Sequence, residues 1–251
     1  MDLPDPAALD RLADRGWPAL ERTPLQGWTL RASNGVTNRA NSVLTAGEVD
    51  DVAAAVEEAE RWYAARSLPP VFQTSPASPG ALSEVLAGRG YREHSATDVL
   101  VADRAEVAHG GKAPGASATA PASADSPSAG WLDTWWSVDG RGGPAEREVT
   151  RRILTGGPAL YASHGDPSAP DAVARLALVG EWGGLYAVAT RPEARRRGLA
   201  RDLARALAHA ASEHGVASLW LQVVAENAAA HALYASLGFR RASGYSYWSR
   251  P

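Results

Sequence analysis

Apolar and polar positions along the chain change period several times, and each change marks an element. Val52, Val56, Ala59 and Tyr63 recur at helical spacing and predict a helix over residues 51–65. Leu199, Leu203 and Leu207 form a second stripe, in a helix over 199–214, with Arg201 and Arg205 off that stripe. Leu219, Leu221 and Val223 alternate instead, so Ser218–Val224 reads as a strand with one apolar face. Shorter apolar runs predict strands at 28–31, 37–44, 71–74, 97–102, 158–163, 173–180 and 185–190, with two closing strands at 239–241 and 245–248. Further helices are expected over 6–17, 81–89, 145–154 and 228–237. Asn34-Gly35, lying between two strand-like runs, is a hairpin signal.

The pattern lapses over 105–129. That stretch, rich in Ala, Ser, Pro and Gly, has almost no large apolar residue, so it reads as a flexible linker. The expected division is therefore a first domain over 1–104, the linker, and a second domain over 130–251. The two domains share a faint repeat. Phe72-Gln73 sets against Leu221-Gln222, and Leu86 through Arg92 against Tyr234 through Arg240, with one residue inserted between the blocks. Strand, helix, Gly and aromatic recur in step, which makes the first domain a second, degenerate copy of the same unit.

Composition narrows the reading. The 251 residues carry a net charge of −3, which argues against a general nucleic-acid binder. Cysteine is absent, which excludes disulfides, thiolate nucleophiles and cysteine-bound metal. The histidines show no metal-ligand spacing, so no metal is expected. The start of the chain has neither a basic nor an apolar signal region, and no run approaches the roughly 20 apolar residues of a membrane span. A cytoplasmic protein without membrane partners is the expectation; the oligomeric state is not legible.

The chemistry concentrates between Leu185 and Phe239. A strand ends at Thr190, a turn follows at Pro192, and Arg195-Arg196-Arg197-Gly198-Leu199-Ala200 stands at the head of the long helix. A helix start offers free N–H groups and a positive dipole end, suited to phosphate, and glycine lets a ligand approach the backbone. This R-x-x-G-x-A run resembles the acetyl-CoA pyrophosphate loop of the GNAT acetyltransferases. Leu221-Gln222-Val223, Asn227, Ala230, Leu233-Tyr234 and Gly238-Phe239 resemble that family's second signature. The likeness covers the C-terminal half of the chain. It implies an α/β fold with a mixed sheet and helices on both faces, in two GNAT-like lobes, and acetyl-CoA as cosubstrate.

The resemblance also implies roles. The loop Arg195 to Ala200 holds pyrophosphate. The strand carrying Val188 and Thr190 splays from its neighbour, so its backbone binds the pantetheine arm and the acetyl oxygen. Asn227 bonds pantetheine, or caps the helix that starts at Ala228, or does both. Tyr234 is the acid that protonates the departing thiolate, or else a core tyrosine. From unperturbed values the proton transfer is uphill by only roughly 2 kcal/mol. Glu181 and Glu226 are candidate general bases, and each also reads as a surface carboxylate; His231, one turn before Tyr234, reads as structural or solvated. The implied activity is acetyl transfer to a primary amine of a small molecule or of a protein or peptide, by direct attack. The alternative is a non-catalytic acyl-CoA-binding module, against which the presence of Tyr234 argues.

Overall fold

A computed structural model describes residues 3–109 and 121–251. Its first part runs α1 (Pro6–Gly16), β1 (Glu21–Leu25), β2 (Trp28–Ala32), β3 (Val43–Leu44), α2 (Val52–Ala64), β4 (Phe72–Thr74), α3 (Leu82–Gly88) and β5 (Arg92–Asp103). Next come α4 (Arg104–His109), β6 (Ala122–Ala124), α5 (Ala129–Asp139), α6 (Pro144–Leu154), β7 (Ala159–His164), β8 (Ala172–Val179) and β9 (Trp182–Thr190). The last elements are α7 (Leu199–Ala210), β10 (Ser218–Val224), α8 (Ala228–Ala235) and β11 (Arg240–Ser249).

Several elements differ from the sequence pattern. The hairpin partner of β2 is β1, through a turn in which Gln26 takes φ 51°, rather than residues 37–44 alone. Asn34 and Gly35 do turn left-handed, at φ 52° and 77°, but β3 then meets β2 only at Leu44↔Thr29. Pro24 and the charged Glu21-Arg22 hide β1 from the pattern; proline is tolerated there because β1 is an edge strand. The two expected closing strands are one continuous strand, β11. A helix, Arg104–His109, runs from the last residue of the expected first domain into the expected linker, and Ala122–Ala124 within it is a strand paired to β7. Residues 110–120 of that linker lie outside the described residues.

The chain divides into two compact units. The first is Asp2–Val99 with Val224–Glu226 and Ala242–Pro251; the second is Leu100–Val223 with Asn227–Arg241. In the first unit the strand order is β1-β2-β3-β4-β11-β5, and β11 pairs antiparallel with β4 through Ser246↔Thr74, Tyr247↔Gln73 and Trp248↔Phe72. Its core gathers Trp28, Val43, Val56, Tyr63, Phe72, Leu82, Leu86 and Tyr91, with Trp248 packed against it. The last ten residues are thus structural members of a unit built mainly from the first hundred.

In the second unit the order is β5-β10-β9-β8-β7-β6, with β10 parallel to β9 and the β7-β8-β9 ladder antiparallel. The stripe on α7 is buried as Leu199, Leu203 and Leu207, each contributing about 1.5–3 kcal/mol. Leu100, Ala102 and Val107 belong to the same core, together with Leu221, Tyr234 and Phe239. That is why this unit begins at Leu100: its core needs the end of β5.

Candidate functional site

The site is built where β9 runs into α7. The β9–β10 ladder covers Trp182–Leu185 against Ser218–Leu221 and goes no further in register, while β9 continues to Thr190. On its other side, Arg175 pairs with Tyr186 and Val173 with Ala189. Ala187 and Val188 therefore oppose the single residue Ala174, which is a bulge, and Ala187 takes φ 52°. The bulge and the end of the ladder leave backbone groups at Val188 and beyond unpaired to β10. Thr190 and Val188 are half-buried, and Val188 packs on the same core that contains Tyr234.

The turn into α7 is held from beneath. Arg191 N–H donates to Asp171 O at 2.9 Å, and its side chain reaches Pro170 O at 2.9 Å and Thr134 Oγ1 at 3.1 Å. Ala194 is buried under the turn. Arg196 and Gly198 are left-handed, at φ 65° and 81°, and Gly198 is the N-cap of α7 with no side-chain cap. Such alternation turns successive N–H groups toward one concavity, an anion nest. A Cβ on Gly198 would meet nothing within 4 Å, so the space above the helix start is open. Arg195, Arg196 and Arg197 are exposed; Arg197 pairs with Asp171 at 3.3 Å and Arg195 reaches Thr190 O at 3.4 Å. Leu199 is buried and Ala200 half-buried, so these two serve through their backbone. Uncapped N–H groups, an open approach and three cations fit a pyrophosphate.

Tyr234 lies on α8, 8% exposed, with its ring edge-on to Phe239 at 5.7 Å. Burial pushes its hydroxyl up to about 12. Asn227 Oδ1 accepts from Ala230 N–H at 3.0 Å, which caps α8 and leaves the amide Nδ2 as a donor. Arg201 ties the start of α7 to the end of α8 through Ser236 Oγ at 2.8 Å. Glu181 sits in the turn before β9, roughly 23 Å along the strand from Val188, which removes it as a general base for chemistry at the bulge. Glu226 is exposed in the loop before α8. Among the described residues no group of three His, Cys, Asp or Glu can hold a metal, and no helix is long and apolar enough to cross a membrane.

Sequence reasoning passed over Ala187 and Asp171, and read Arg191 only as part of the turn after the strand. An alanine carries no signal of left-handed backbone, and the two anchors are ordinary surface residue types in the sequence.

A splayed, bulged strand feeding an uncapped, arginine-flanked helix start, within a mixed sheet, is the arrangement of the GNAT N-acetyltransferases. The chain belongs to the family described as the C-terminal part of the probable histone acetyltransferase Rv0428c, matched over residues 6–248. It is 29% identical over 241 residues to the uncharacterized N-acetyltransferase YobR of Bacillus subtilis, covering 95% of this chain and 96% of that one. A GCN5-related N-acetyltransferase from Kribbella flavida shares the fold with a TM-score of 0.67 at 16% identity, over 97% of this chain and 95% of that chain. A tandem GNAT protein from the clavulanic acid biosynthesis pathway does so with a TM-score of 0.63 at 13% identity, over 99% and 88%.

Proposed function

We propose that the chain transfers an acetyl group from acetyl-CoA to a primary amine of a small molecule or of a protein or peptide, in one direct step within a ternary complex. The observation that carries this reading is the bulge at Ala187–Val188 leading into the uncapped α7 start at Gly198. Acetyl-CoA supplies an activated thioester. The α7 N–H groups and the arginines hold its pyrophosphate, and Asn227 Nδ2, left over from the α8 cap, bonds the pantetheine arm. Backbone N–H groups freed by the bulge aim at the thioester carbonyl and stabilise charge that develops there.

Tyr234 delivers the proton to the departing sulfur. At a pKa of about 12 the phenol is protonated at every working pH, but transfer to a free thiolate is uphill by roughly 5 kcal/mol. Burial disfavours the thiolate too, which narrows that gap inside the site. The test is a panel of amines and peptides read by mass spectrometry. A Tyr234→Phe variant is run beside the wild type. Transfer by the wild type is expected, with kcat lowered roughly tenfold to a hundredfold in the variant and acetyl-CoA affinity within about twofold. Acetyl-CoA binding without transfer to any acceptor would favour a binding module instead.

A further inference from the structure

Arg175 is 0% exposed, one of the largest fully buried side chains of the protein. It stands in the middle of β8, paired across one side with Tyr161 of β7 and across the other with Tyr186 of β9. Its guanidinium carbon lies 6.0 Å from the Tyr161 ring and 5.9 Å from the Tyr186 ring. Both rings are themselves fixed. Tyr161 donates to Leu154 O at 2.7 Å and meets Trp131 edge-on at 5.4 Å. Tyr186 accepts from Trp220 Nε1 at 3.2 Å and meets that ring edge-on at 6.1 Å. Gly184 makes room for Trp220, because a Cβ there would meet the indole at 2.3 Å.

A cation in the middle of a sheet is costly to bury unless its neighbours answer it. What distinguishes this position is its place in the register. Arg175↔Tyr186 is the last regular pair before the bulge. The next residue of β9, Ala187, holds a left-handed backbone that disfavours any residue with a Cβ by about 1–2 kcal/mol. Such a conformation persists only where neighbours over-determine it. Val173↔Ala189 fixes one side of the bulge, and the Tyr161–Arg175–Tyr186–Trp220 cluster fixes the other.

We infer that Arg175 is a positioning residue, a clamp on Tyr186 that keeps the Ala187–Val188 bulge in shape and so aims its backbone groups at the thioester. This inference rests on the acetyltransferase reading for its effect on rate, but not for its effect on the backbone. Two measurements on the full chain therefore separate them. Amide hydrogen exchange at Tyr186 and Ala189, the paired residues that flank the bulge, reads it without any ligand. Calorimetry with CoA and steady-state kinetics read the reaction.

Arg175→Met is expected to raise exchange at Tyr186 and Ala189 roughly tenfold beyond any change at β7. It should lower kcat roughly tenfold and leave CoA affinity within about twofold, since CoA lacks the acetyl group that the bulge addresses. Arg175→Lys keeps the buried cation, and is expected to show the same pattern with smaller changes. Unchanged exchange at the bulge, unchanged kcat, or CoA affinity falling in step with kcat would each overturn the clamp. If neither variant folds, Arg175 serves stability alone and the inference fails. A wild type that neither binds CoA nor turns over would sink the acetyltransferase reading, while the exchange data still decide whether Arg175 holds the bulge.

Discussion

The two lobes end their last helices alike and begin their longest helices differently. At the end of α8, Phe239 N–H returns to Tyr234 O at 3.0 Å and Gly238 N–H to Ala235 O at 3.1 Å, with Gly238 at φ 91°. At the end of α3, Tyr91 N–H returns to Leu86 O at 3.1 Å and Gly90 N–H to Ala87 O at 3.0 Å, with Gly90 at φ 83°. The parallel strand pairs correspond as well, β3 with β4 in one unit and β9 with β10 in the other. The repeat read in the sequence is therefore a repeat of backbone hydrogen bonding, down to the left-handed glycine.

The starts of α2 and α7 share none of this. On α2 the N-cap is Asp51, whose carboxylate accepts from Ala53 N–H at 2.8 Å and Ala54 N–H at 3.0 Å. Gln26 Oε1 takes Asp50 N–H at 2.8 Å, and Gly27 N–H donates to Glu48 O at 3.1 Å, so the β1–β2 turn lies over the approach. Gly27 and Gly47 pack so closely that a Cβ on either meets backbone oxygen at 2.3–2.5 Å. Thr45 Oγ1 donates to Gln73 O at 2.8 Å, stitching β3 to β4 where β9 and β10 are splayed. The α2 start carries its own anion; the α7 start has a glycine, open space and arginines. On the proposed function, what separates the binding lobe from the other is whether the helix dipole is already answered from within the chain.

Three changes probe this contrast. The most severe is to cut the chain at the sequence boundary. A fragment starting at Gly130 loses Leu100, Ala102 and Val107 from its core, and is expected not to fold, since two large buried aliphatics at about 1.5–3 kcal/mol each consume much of a domain's stability. Circular dichroism and a thermal melt check it; a cooperative melt would show that β5 and α4 are dispensable. Next, Gly198→Asp gives α7 the N-cap that α2 has. The open space allows the side chain, the left-handed φ costs about 1–2 kcal/mol, and acetyl-CoA affinity is expected to fall at least about a hundredfold by calorimetry. Unchanged affinity in a folded variant would remove α7 as the pyrophosphate site. The mildest is Asp51→Ala, which removes the internal anion from α2. Thermal denaturation should show a loss of about 1 kcal/mol, with no gain of acetyl-CoA binding, because the β1–β2 turn and Glu48 remain.

Much of the second unit's site was legible because its signals are local. A glycine ahead of a leucine stripe, preceded by arginines, implies an open helix start whatever surrounds it. The Asn227 cap, the Tyr234 position and the Gly238 stop lie within one short helix and its ends. The bulge was not legible, because Ala187 owes its backbone to Arg175, Tyr186 and Val173 on two strands rather than to its own type. The tryptophan-rich run that forms α5 has too little polar contrast to show a period. The unit boundaries were hidden for a related reason. The run Tyr245 to Trp248 predicts a strand but names no partner, and its partner, β4, lies some 170 residues earlier in the chain. β5 begins in the polar run Arg92-Glu93-His94, which gives the pattern nothing to hold, so its first five residues were missed.

Calorimetric titration of the intact chain with acetyl-CoA tests the central claim most directly. One open and one self-capped helix start predict saturation at one equivalent. Saturation at two equivalents would contradict the account, because it would require the Asp51-capped start of α2 to bind a pyrophosphate.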